Sequence, residues 1–235
     1  MEPTRQHEPG FRLLPLGDAA VTVEFGSEIS PGLNERVLRF ADHVQAHAWP
    51  GVLDVVPAYC SVVIHVDPLR LDVSALRDRL LSLSDTAPSA CRRSPRTHRI
   101  PVLYGGESGP DLEEVARHAN LSVADVIRLH ASGPYRVYML GFSPGFPYLG
   151  LVPPAIAIPR LATPRMAVPA GSVGIAERQT GVYPVPTPAG WRVIGRTPIS
   201  IYRPHASDPF LLHPGDTVRF EPIRRDEFTR LSRTA

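Results

Sequence analysis

The first part of the chain alternates between segments with the period of a strand and segments with the period of a helix. Residues Ala20–Phe25 place apolar and polar side chains alternately, which predicts a half-buried strand. Ser30 and Pro31 then begin a predicted helix, as an N-cap followed by a proline in the first turn. The remaining predicted elements are strands at Val52–Val56 and Cys60–Val66, a helix at about Asp72–Leu83 and a strand at His98–Gly106. This β-α-β-β-α-β order predicts a ferredoxin-like α/β domain over residues 1–104.

Two short helices follow, and the pattern then changes. Pro110 lies in the first turn of one predicted helix, and Ser122 with Asp125 forms a possible capping box at the start of the next. These helices form a predicted connection over residues 105–134. His130 lies on the apolar face of the second helix, where it is either a packed core histidine or a functional acid or base.

From Tyr135 onward no helical period persists. Short apolar runs alternate with Pro-Gly turn signals, and the 27 prolines of the chain are denser here. Many short strands at close spacing predict a sandwich or a barrel, and closure into a barrel is favoured because it removes exposed edges. The sequence therefore predicts an α+β chain whose residues 135–235 form an all-β domain.

One segment of this second part, MLGFSPGFPYLG (Met139–Gly150), is rich in glycine, proline and aromatic residues. Its prolines disfavour both a helix and a central strand. Either its rings fold back into the barrel, or part of the segment lines a pocket or a subunit interface, where aromatic residues are enriched. The residues proposed for such a pocket or interface are Phe142, Pro144, Gly145, Phe146, Tyr148 and His130.

Composition narrows the class of protein. Hydrophobic residues make up 43% of the chain and charged residues 20%, and the net charge is +2, so a packed core is expected and neither a nucleic-acid nor a membrane partner is indicated. No apolar run is long enough to span a bilayer, and the N-terminus lacks the apolar region of a secretory signal. Cys60 and Cys91 have no metal-ligand spacing, so we expect a cytoplasmic protein without a metal site.

No complete catalytic constellation is visible. Residues Gly105–Glu113 lack the Gly-Lys-Ser/Thr ending of a phosphate-binding loop. Residues Gly141–Gly145 match G-x-S-x-G, but Pro144 follows Ser143 and has no N–H for an oxyanion hole, so Ser143 is predicted to be a poor nucleophile. The chain alone therefore shows no catalytic residues that we can assign.

In contrast to catalytic residues, side chains that could bind an anion are numerous in the second part of the chain. Arginine presents a planar fork that suits a carboxylate or a phosphate, although surface arginines are ordinary in any β domain. The predicted substrate-binding residues lie in or beside the segments TPR, PAGS, QTG and GRTP; they are Arg165, Ser172, Gln179, Thr180, Tyr183, Arg196 and Thr197. We expect the segments PAGSVGIA and QTGVYP to border one cleft.

Several long motifs, in order, resemble one known family. They are YGGESGPDLEEVA (Tyr104–Ala116), YMLGFSPGFPYLG (Tyr138–Gly150), TPRMAVPAGSVGIA (Thr163–Ala176), QTGVYPVPTPAGW (Gln179–Trp191), IGRTP (Ile194–Pro198) and LLHPGDTVRF (Leu211–Phe220). The family is known as the 5-oxoprolinase B subunits, allophanate hydrolase subunit 1 or the kinase-inhibitor KipI family. The resemblance implies a small N-terminal α/β domain and a C-terminal cyclophilin-like β-barrel.

The resemblance also implies a function within a hetero-oligomer. Family members work with a C subunit, similar to allophanate hydrolase subunit 2, and with an A subunit in the ATP-dependent opening of 5-oxoproline to glutamate. ATP would then be a co-substrate of the complex, and the small substrate would be anionic or an amide. Two alternatives stay open, namely a subunit of an allophanate hydrolase or urea carboxylase type of complex, and an inhibitor of a histidine kinase.

Overall fold

The computed structural model describes residues 10–83 and 93–233, and the chain divides into two compact units, Met1–Ser94 and Pro95–Ala235. Two sequence predictions fall on residues outside the described ones. They are the lack of a secretory signal, which concerns residues 1–9, and the lack of metal-ligand spacing, which concerns Cys91. None of the described helices is both long and apolar enough to cross a bilayer.

The first unit contains a four-stranded antiparallel sheet and two helices. Its strands are β1 (Arg12–Pro15), β2 (Ala20–Glu24), β3 (Val52–Pro57) and β4 (Ser61–Val66), in the order β1-β2-β4-β3, and its helices are α1 (Pro31–Ala46) and α2 (Val73–Ser82). Helix α1 begins as the sequence predicts, because the Ser30 Oγ atom accepts a hydrogen bond from the Leu33 N–H at 3.2 Å. The apolar face of the sheet and both helices enclose one core, in which Val21, Val37 and Leu76 are fully buried.

The predicted fourth strand of this unit was assigned to the wrong sheet. Residues Thr97–Tyr104 form a strand, β5, but it lies in the second unit, where Ile100 and Val102 are buried in the barrel core. Strand β1, which was not predicted from the sequence, lies at the edge beside β2 instead. The ferredoxin-like arrangement is therefore not reproduced, because an alternating pattern specifies a strand and its buried face but not its hydrogen-bonding partner.

The second unit is built on a closed barrel, as predicted. Its further strands are β6 (Tyr135–Leu140), β7 (Pro147–Gly150), β8 (Arg165–Val168), β9 (Ser172–Ala176), β10 (Gln179–Val182), β11 (Thr187–Ala189), β12 (Arg192–Arg196) and β13 (Thr217–Pro222). The barrel order is β10-β7-β6-β13-β5-β12-β9, and β11 pairs with β8 in a separate two-stranded sheet. Strand β13 runs parallel to β5, whereas the other barrel pairs are antiparallel.

Three helices accompany the barrel: α3 (Leu112–Ala119), α4 (Val123–Ala131) and α5 (Arg225–Ser232). Helix α4 begins at the predicted cap, where the Ser122 Oγ atom accepts a hydrogen bond from the Asp125 N–H at 3.1 Å. Val115 of α3 and Val126 of α4 are fully buried in the same hydrophobic cluster as the barrel residue Ile100. The predicted helical connection is thus packed on the barrel as part of its core.

A buried carboxylate fixes the place where the parallel strands β5 and β13 begin. Asp216 accepts hydrogen bonds from the backbone N–H groups of Arg96 (2.8 Å) and His213 (3.1 Å), and the His98 Nε2 atom lies 3.0 Å from its Oδ2 atom. Since the Asp216 side chain is fully buried, these contacts compensate for its lost hydration.

Candidate active site

The proline- and aromatic-rich segment forms a hairpin between β6 and β7. The Gly141 N–H donates to the Phe146 carbonyl oxygen at 3.1 Å, and the Phe146 N–H donates to the Ser143 carbonyl oxygen at 3.0 Å. The expectation that this segment contains no central strand was wrong, because β7 lies between β6 and β10. Pro147 is the first residue of β7, a position where a proline is tolerated in a sheet.

The two phenylalanines of this hairpin have opposite environments. The Phe146 ring is 1% exposed and packs in the barrel wall, whereas Phe142 is 64% exposed and has a φ of +65°. Such a backbone conformation is rare for a bulky residue and occurs mainly where the surrounding structure imposes it. The hairpin therefore holds one ring inside and presents the other at the surface.

Around these rings lies a cleft of about 350 Å³, which we call the aromatic cleft. Its walls are formed by Phe142, Phe146, Tyr148, Arg160, Pro164, Tyr183, Thr187, Pro188, Ala189, Gly190 and Trp191. The Phe146 ring is central, with its centroid 5.0 Å from those of Tyr148 and Tyr183 and 5.4 Å from that of Trp191, in edge-to-face geometry. The walls therefore offer aromatic surfaces with a few polar atoms among them.

Glycine at one position of the barrel wall makes this packing possible. A Cβ atom at Gly181 would lie 2.8 Å from the Phe146 Cζ atom and 2.9 Å from the Pro147 carbonyl oxygen. Any larger residue would clash with both the Phe146 ring and the backbone of β7, so this part of the wall requires glycine.

The titratable groups of the cleft are two phenols and one guanidinium group. Burial raises the pKa of Tyr183 to about 12, and the Trp191 backbone and the Arg160 charge only partly oppose this shift. Burial also raises the pKa of Tyr148, and the Arg160 charge partly opposes this shift. Both phenols are therefore protonated at neutral pH and can donate a hydrogen bond, while Arg160 supplies a positive charge.

The structure brings together only some of the predicted site residues. Phe142, Phe146, Tyr148 and Tyr183 line the aromatic cleft. Arg196 and Thr197 line a second cavity of about 400 Å³, where the Arg196 Nε atom donates to the Ala170 carbonyl oxygen at 2.9 Å. The predicted residues thus lie in at least two separate places.

Other predicted residues have structural partners. Ser172 is buried and its hydroxyl donates to the Pro169 carbonyl oxygen at 2.8 Å. Gln179 pairs with Gly150 and Ala176 across the neighbouring strands.

The outer part of the hairpin does not enter the aromatic cleft. Pro144 is exposed at its tip. Gly145 has a φ of +77°, and a Cβ atom there would lie 3.0 Å from the Phe210 ring. These two residues therefore shape the turn.

Arg165 was predicted to bind an anionic ligand, but it already has an anionic partner. Its two terminal nitrogens lie 2.8 and 2.6 Å from the carboxylate oxygens of Asp111, in a bidentate ion pair that also raises the pKa of Arg165. The Asp111 Oδ2 atom accepts a further hydrogen bond, at 2.7 Å, from the Val193 N–H. Arg165 is therefore paired with Asp111 and does not line the aromatic cleft.

His130 and Thr180 form a buried network away from the cleft. His130 is fully buried, and its two ring nitrogens lie 2.7 Å from the Tyr104 hydroxyl and 2.9 Å from the Thr180 Oγ1 atom. Because the Thr180 hydroxyl donates to the Gly174 carbonyl oxygen, it must accept from the His130 Nε2–H, and Nδ1 accepts from Tyr104. Burial lowers the pKa of His130 to about 3. His130 is therefore packed in the core, as the packed-histidine alternative describes, and does not line the aromatic cleft.

Sequence reasoning missed three residues that shape the site: Arg160, Trp191 and Asp111. Arg160 lies in a proline-rich stretch without a recognisable pattern, so nothing in the sequence indicated its position. Trp191 and Asp111 lie in two of the family motifs, but the motifs do not show what each side chain contacts. Tertiary structure alone brings them to one place.

The arrangement favours binding over covalent chemistry. The Ser143 Oγ atom is buried and has no hydrogen-bond partner among the described residues, so no base activates it. Within residues 10–83 and 93–233, no three His, Cys, Asp or Glu side chains converge as metal ligands would. Aromatic walls, donating phenols and one cation suit a small ring-shaped ligand that carries a negative charge.

Comparisons with known proteins agree with this architecture. The family model of the carboxyltransferase domain, subdomain C and D, matches residues 11–212. The 5-oxoprolinase B subunit of Bacillus subtilis (strain 168) is 40% identical over 232 residues, which cover 93% of this chain and 95% of that protein.

Solved structures extend the comparison. The crystal structure of TTHA0988 is 42% identical with a TM-score of 0.78, and the match covers 88% of this chain but only 40% of that chain. The K. lactis urea amidolyase is similar in fold, with a TM-score of 0.76 at 19% identity, and the match covers 97% of this chain and 16% of that one. The chain therefore belongs to the family of carboxyltransferase-type domains, subdomains C and D, that includes the 5-oxoprolinase B subunits.

Proposed function

We propose that this chain is the B subunit of an ATP-dependent 5-oxoprolinase, and that its aromatic cleft binds 5-oxoproline. The complex would convert 5-oxo-L-proline, ATP and water to L-glutamate, and would also contain the A and C subunits. The name of the Bacillus subtilis relative, at 40% identity over nearly the whole chain, supports the assignment to this complex.

The observation that carries the proposal is the chemistry of the aromatic cleft. 5-Oxoproline is a five-membered lactam ring with one carboxylate. The aromatic side chains of Tyr148 and Trp191, which pack on the buried Phe146 ring, suit the lactam ring, and the guanidinium group of Arg160 suits the carboxylate. The Tyr183 phenol is protonated at neutral pH, so it can donate a hydrogen bond to the lactam carbonyl oxygen.

Phosphoryl transfer from ATP is assigned to the assembled complex. The sequence of this chain contains no phosphate-binding loop motif. The TTHA0988 chain extends well beyond the part that matches, so one homologue of this chain is covalently joined to further polypeptide. This arrangement supports action in an assembly, in which another chain would complete the cleft.

Reconstitution tests the proposal. The three subunits are mixed, and glutamate formation from 5-oxoproline and ATP is measured with all subunits present and with each one omitted. We expect activity only with all three, and activity that persists without this chain would refute the assignment.

Two substitutions test the cleft. Arg160→Gln removes the charge and should lower kcat/KM about 10- to 100-fold, mainly through KM, since hydrogen bonds to charged groups contribute about 1.5–3 kcal/mol. Tyr183→Phe should lower kcat/KM by a smaller factor. Arg219→Gln is the matched control, because Arg219 is an exposed arginine on β13 and does not line the cleft. Equal effects of Arg160→Gln and Arg219→Gln would exclude the cleft as the binding site.

A further inference from the structure

The Arg160 side chain belongs to a stretch without regular structure, residues 159–164, which we call the Arg160 segment and which ends where Arg165 begins β8. Such a segment does not by itself hold a cation in a fixed place. Its two ends, however, are each tied to one helix, α3, by a carboxylate. This arrangement is independent of the aromatic packing that forms the rest of the cleft.

The C-terminal end of the Arg160 segment is tied by Asp111, at the start of α3. The bidentate pair between Asp111 and Arg165 has oxygen–nitrogen distances of 2.8 and 2.6 Å, and the Asp111 side chain is only 5% exposed. Asp111 also accepts the Val193 N–H of strand β12. The segment is thereby joined to both the helix and the barrel wall.

The N-terminal end is tied through a relay. Glu114 of α3 accepts a hydrogen bond from the Arg192 Nη1 atom at 2.6 Å, and the Arg192 Nε atom donates to the Pro159 carbonyl oxygen at 3.2 Å. The Leu161 N–H also donates to the Gly190 carbonyl oxygen at 2.7 Å. Arg160 therefore lies between two hydrogen-bonded residues, Pro159 on one side and Arg165 on the other.

We infer that Asp111 and Glu114 are positioning residues that fix the Arg160 guanidinium group in the aromatic cleft. Neither carboxylate lines the cleft, so neither touches the ligand. They act through Arg165, Arg192 and the backbone. As far as the ligand is concerned, this inference rests on the proposed function.

The first test measures the electrostatic environment of Trp191 and does not need the ligand. In a Trp49→Phe background, Trp191 is the remaining tryptophan of the two in the chain. Quenching of its fluorescence is measured with iodide, an anion that the Arg160 charge attracts, and with neutral acrylamide, which reports exposure alone. Because Trp191 is only 6% exposed, burial also lowers the ratio of the iodide constant to the acrylamide constant. The positive charge near the ring is therefore read from the change in this ratio between variants, with the parent and Arg160→Gln as its two limits.

The variants are Asp111→Asn, Glu114→Gln and the two combined. Asn keeps an oxygen that can accept the Val193 N–H. Glu114→Gln alone carries the test if Asp111→Asn does not fold. Removing a carboxylate by itself makes the region more positive and raises the iodide-to-acrylamide ratio. A ratio that falls toward the value of Arg160→Gln therefore requires displacement of Arg160, and we expect that fall. Glu113→Gln is the matched control, since Glu113 is an exposed neighbour on the same helix. A ratio in Glu114→Gln and in the combined variant that equals or exceeds that of Glu113→Gln overturns the inference.

The second test uses the reconstituted complex. The combined variant should raise KM for 5-oxoproline about tenfold and leave kcat within about twofold, because the lost interaction is with bound substrate. If the unmodified complex has no 5-oxoproline turnover, the proposed function fails, and the quenching ratio still decides whether the two carboxylates position Arg160.

Discussion

The buried His130 predicts how the stability of the second unit depends on pH. His130 has its ordinary pKa of 6.5 in the unfolded chain, whereas burial lowers it to about 3 in the folded chain. As the pH falls below 6.5, the unfolded chain therefore binds a proton that the folded chain does not bind. The stability contributed by neutral His130 is complete above pH 6.5 and is lost as the pH falls toward 3.

The size of the effect follows from the two pKa values. A shift of one pKa unit corresponds to about 1.4 kcal/mol, so the full difference is about 5 kcal/mol. Between about pH 7.5 and about pH 5, the same linkage relation gives a loss of about 2 kcal/mol from this one group. Such a loss is a large fraction of the stability of an ordinary domain.

The assay is urea unfolding of the Trp49→Phe protein, monitored by the fluorescence of Trp191. The signal then comes from the second unit. The comparison variant is His130→Gln, whose amide can donate to Thr180 and whose carbonyl oxygen can accept from Tyr104, but which does not titrate. All other titrating groups are common to both proteins. We expect the parent protein to lose about 2 kcal/mol more than His130→Gln between about pH 7.5 and about pH 5. Parallel pH dependences in the two proteins would refute the reasoning.

Three further predictions concern packing and the surface. Phe146→Ala should lower the free energy of unfolding by about 3–5 kcal/mol in urea titrations, because the ring is 1% exposed; a loss below about 1 kcal/mol would show that the ring is not part of the core. Gly109→Ala should prevent stable folding, judged by thermal unfolding, because its Cβ atom would lie 2.0 Å from the Ile194 carbonyl oxygen, whereas Gly133→Ala, with nothing within 4 Å, should leave Tm nearly unchanged. Phe142→Asp should change the free energy of unfolding by less than about 0.5 kcal/mol, since the ring is 64% exposed, yet weaken co-purification with the C subunit; undiminished co-purification would remove Phe142 from the proposed interface.

The sequence predicted those parts of the fold that depend on local chemistry. Ser30 and Ser122 begin helices as expected because a capping hydroxyl needs only the next turn of the chain. Strand β5 was found as a strand but placed in the wrong sheet, since pairing is decided by residues far away in sequence. Pro147 was misinterpreted because the sequence does not show where a strand begins. A proline at the first position of a strand is tolerated, whereas one in the interior breaks it.

The candidate site was predictable only where its residues also had a distinctive composition. Phe146, Tyr148 and Tyr183 were identified because aromatic residues in a proline-rich context are unusual. The pairing of Arg165 with Asp111 could not be foreseen, because a free arginine and a paired one look the same in a sequence. Arg160 was missed because its importance arises from a position that other segments impose on it.

The pairing of β5 with β13 has a consequence for synthesis of the protein. Thr97 lies opposite Thr217 in this parallel pair, and Asp216 holds the backbone of Arg96, so the barrel closes across a long stretch of sequence. Until β13 has been translated, the edge of β5 that will pair with it has no partner. That edge can then pair with a wrong strand of this or another chain. The first unit contains all of its own strands and can reach its final form during translation, whereas the barrel must wait until β13 has left the ribosome.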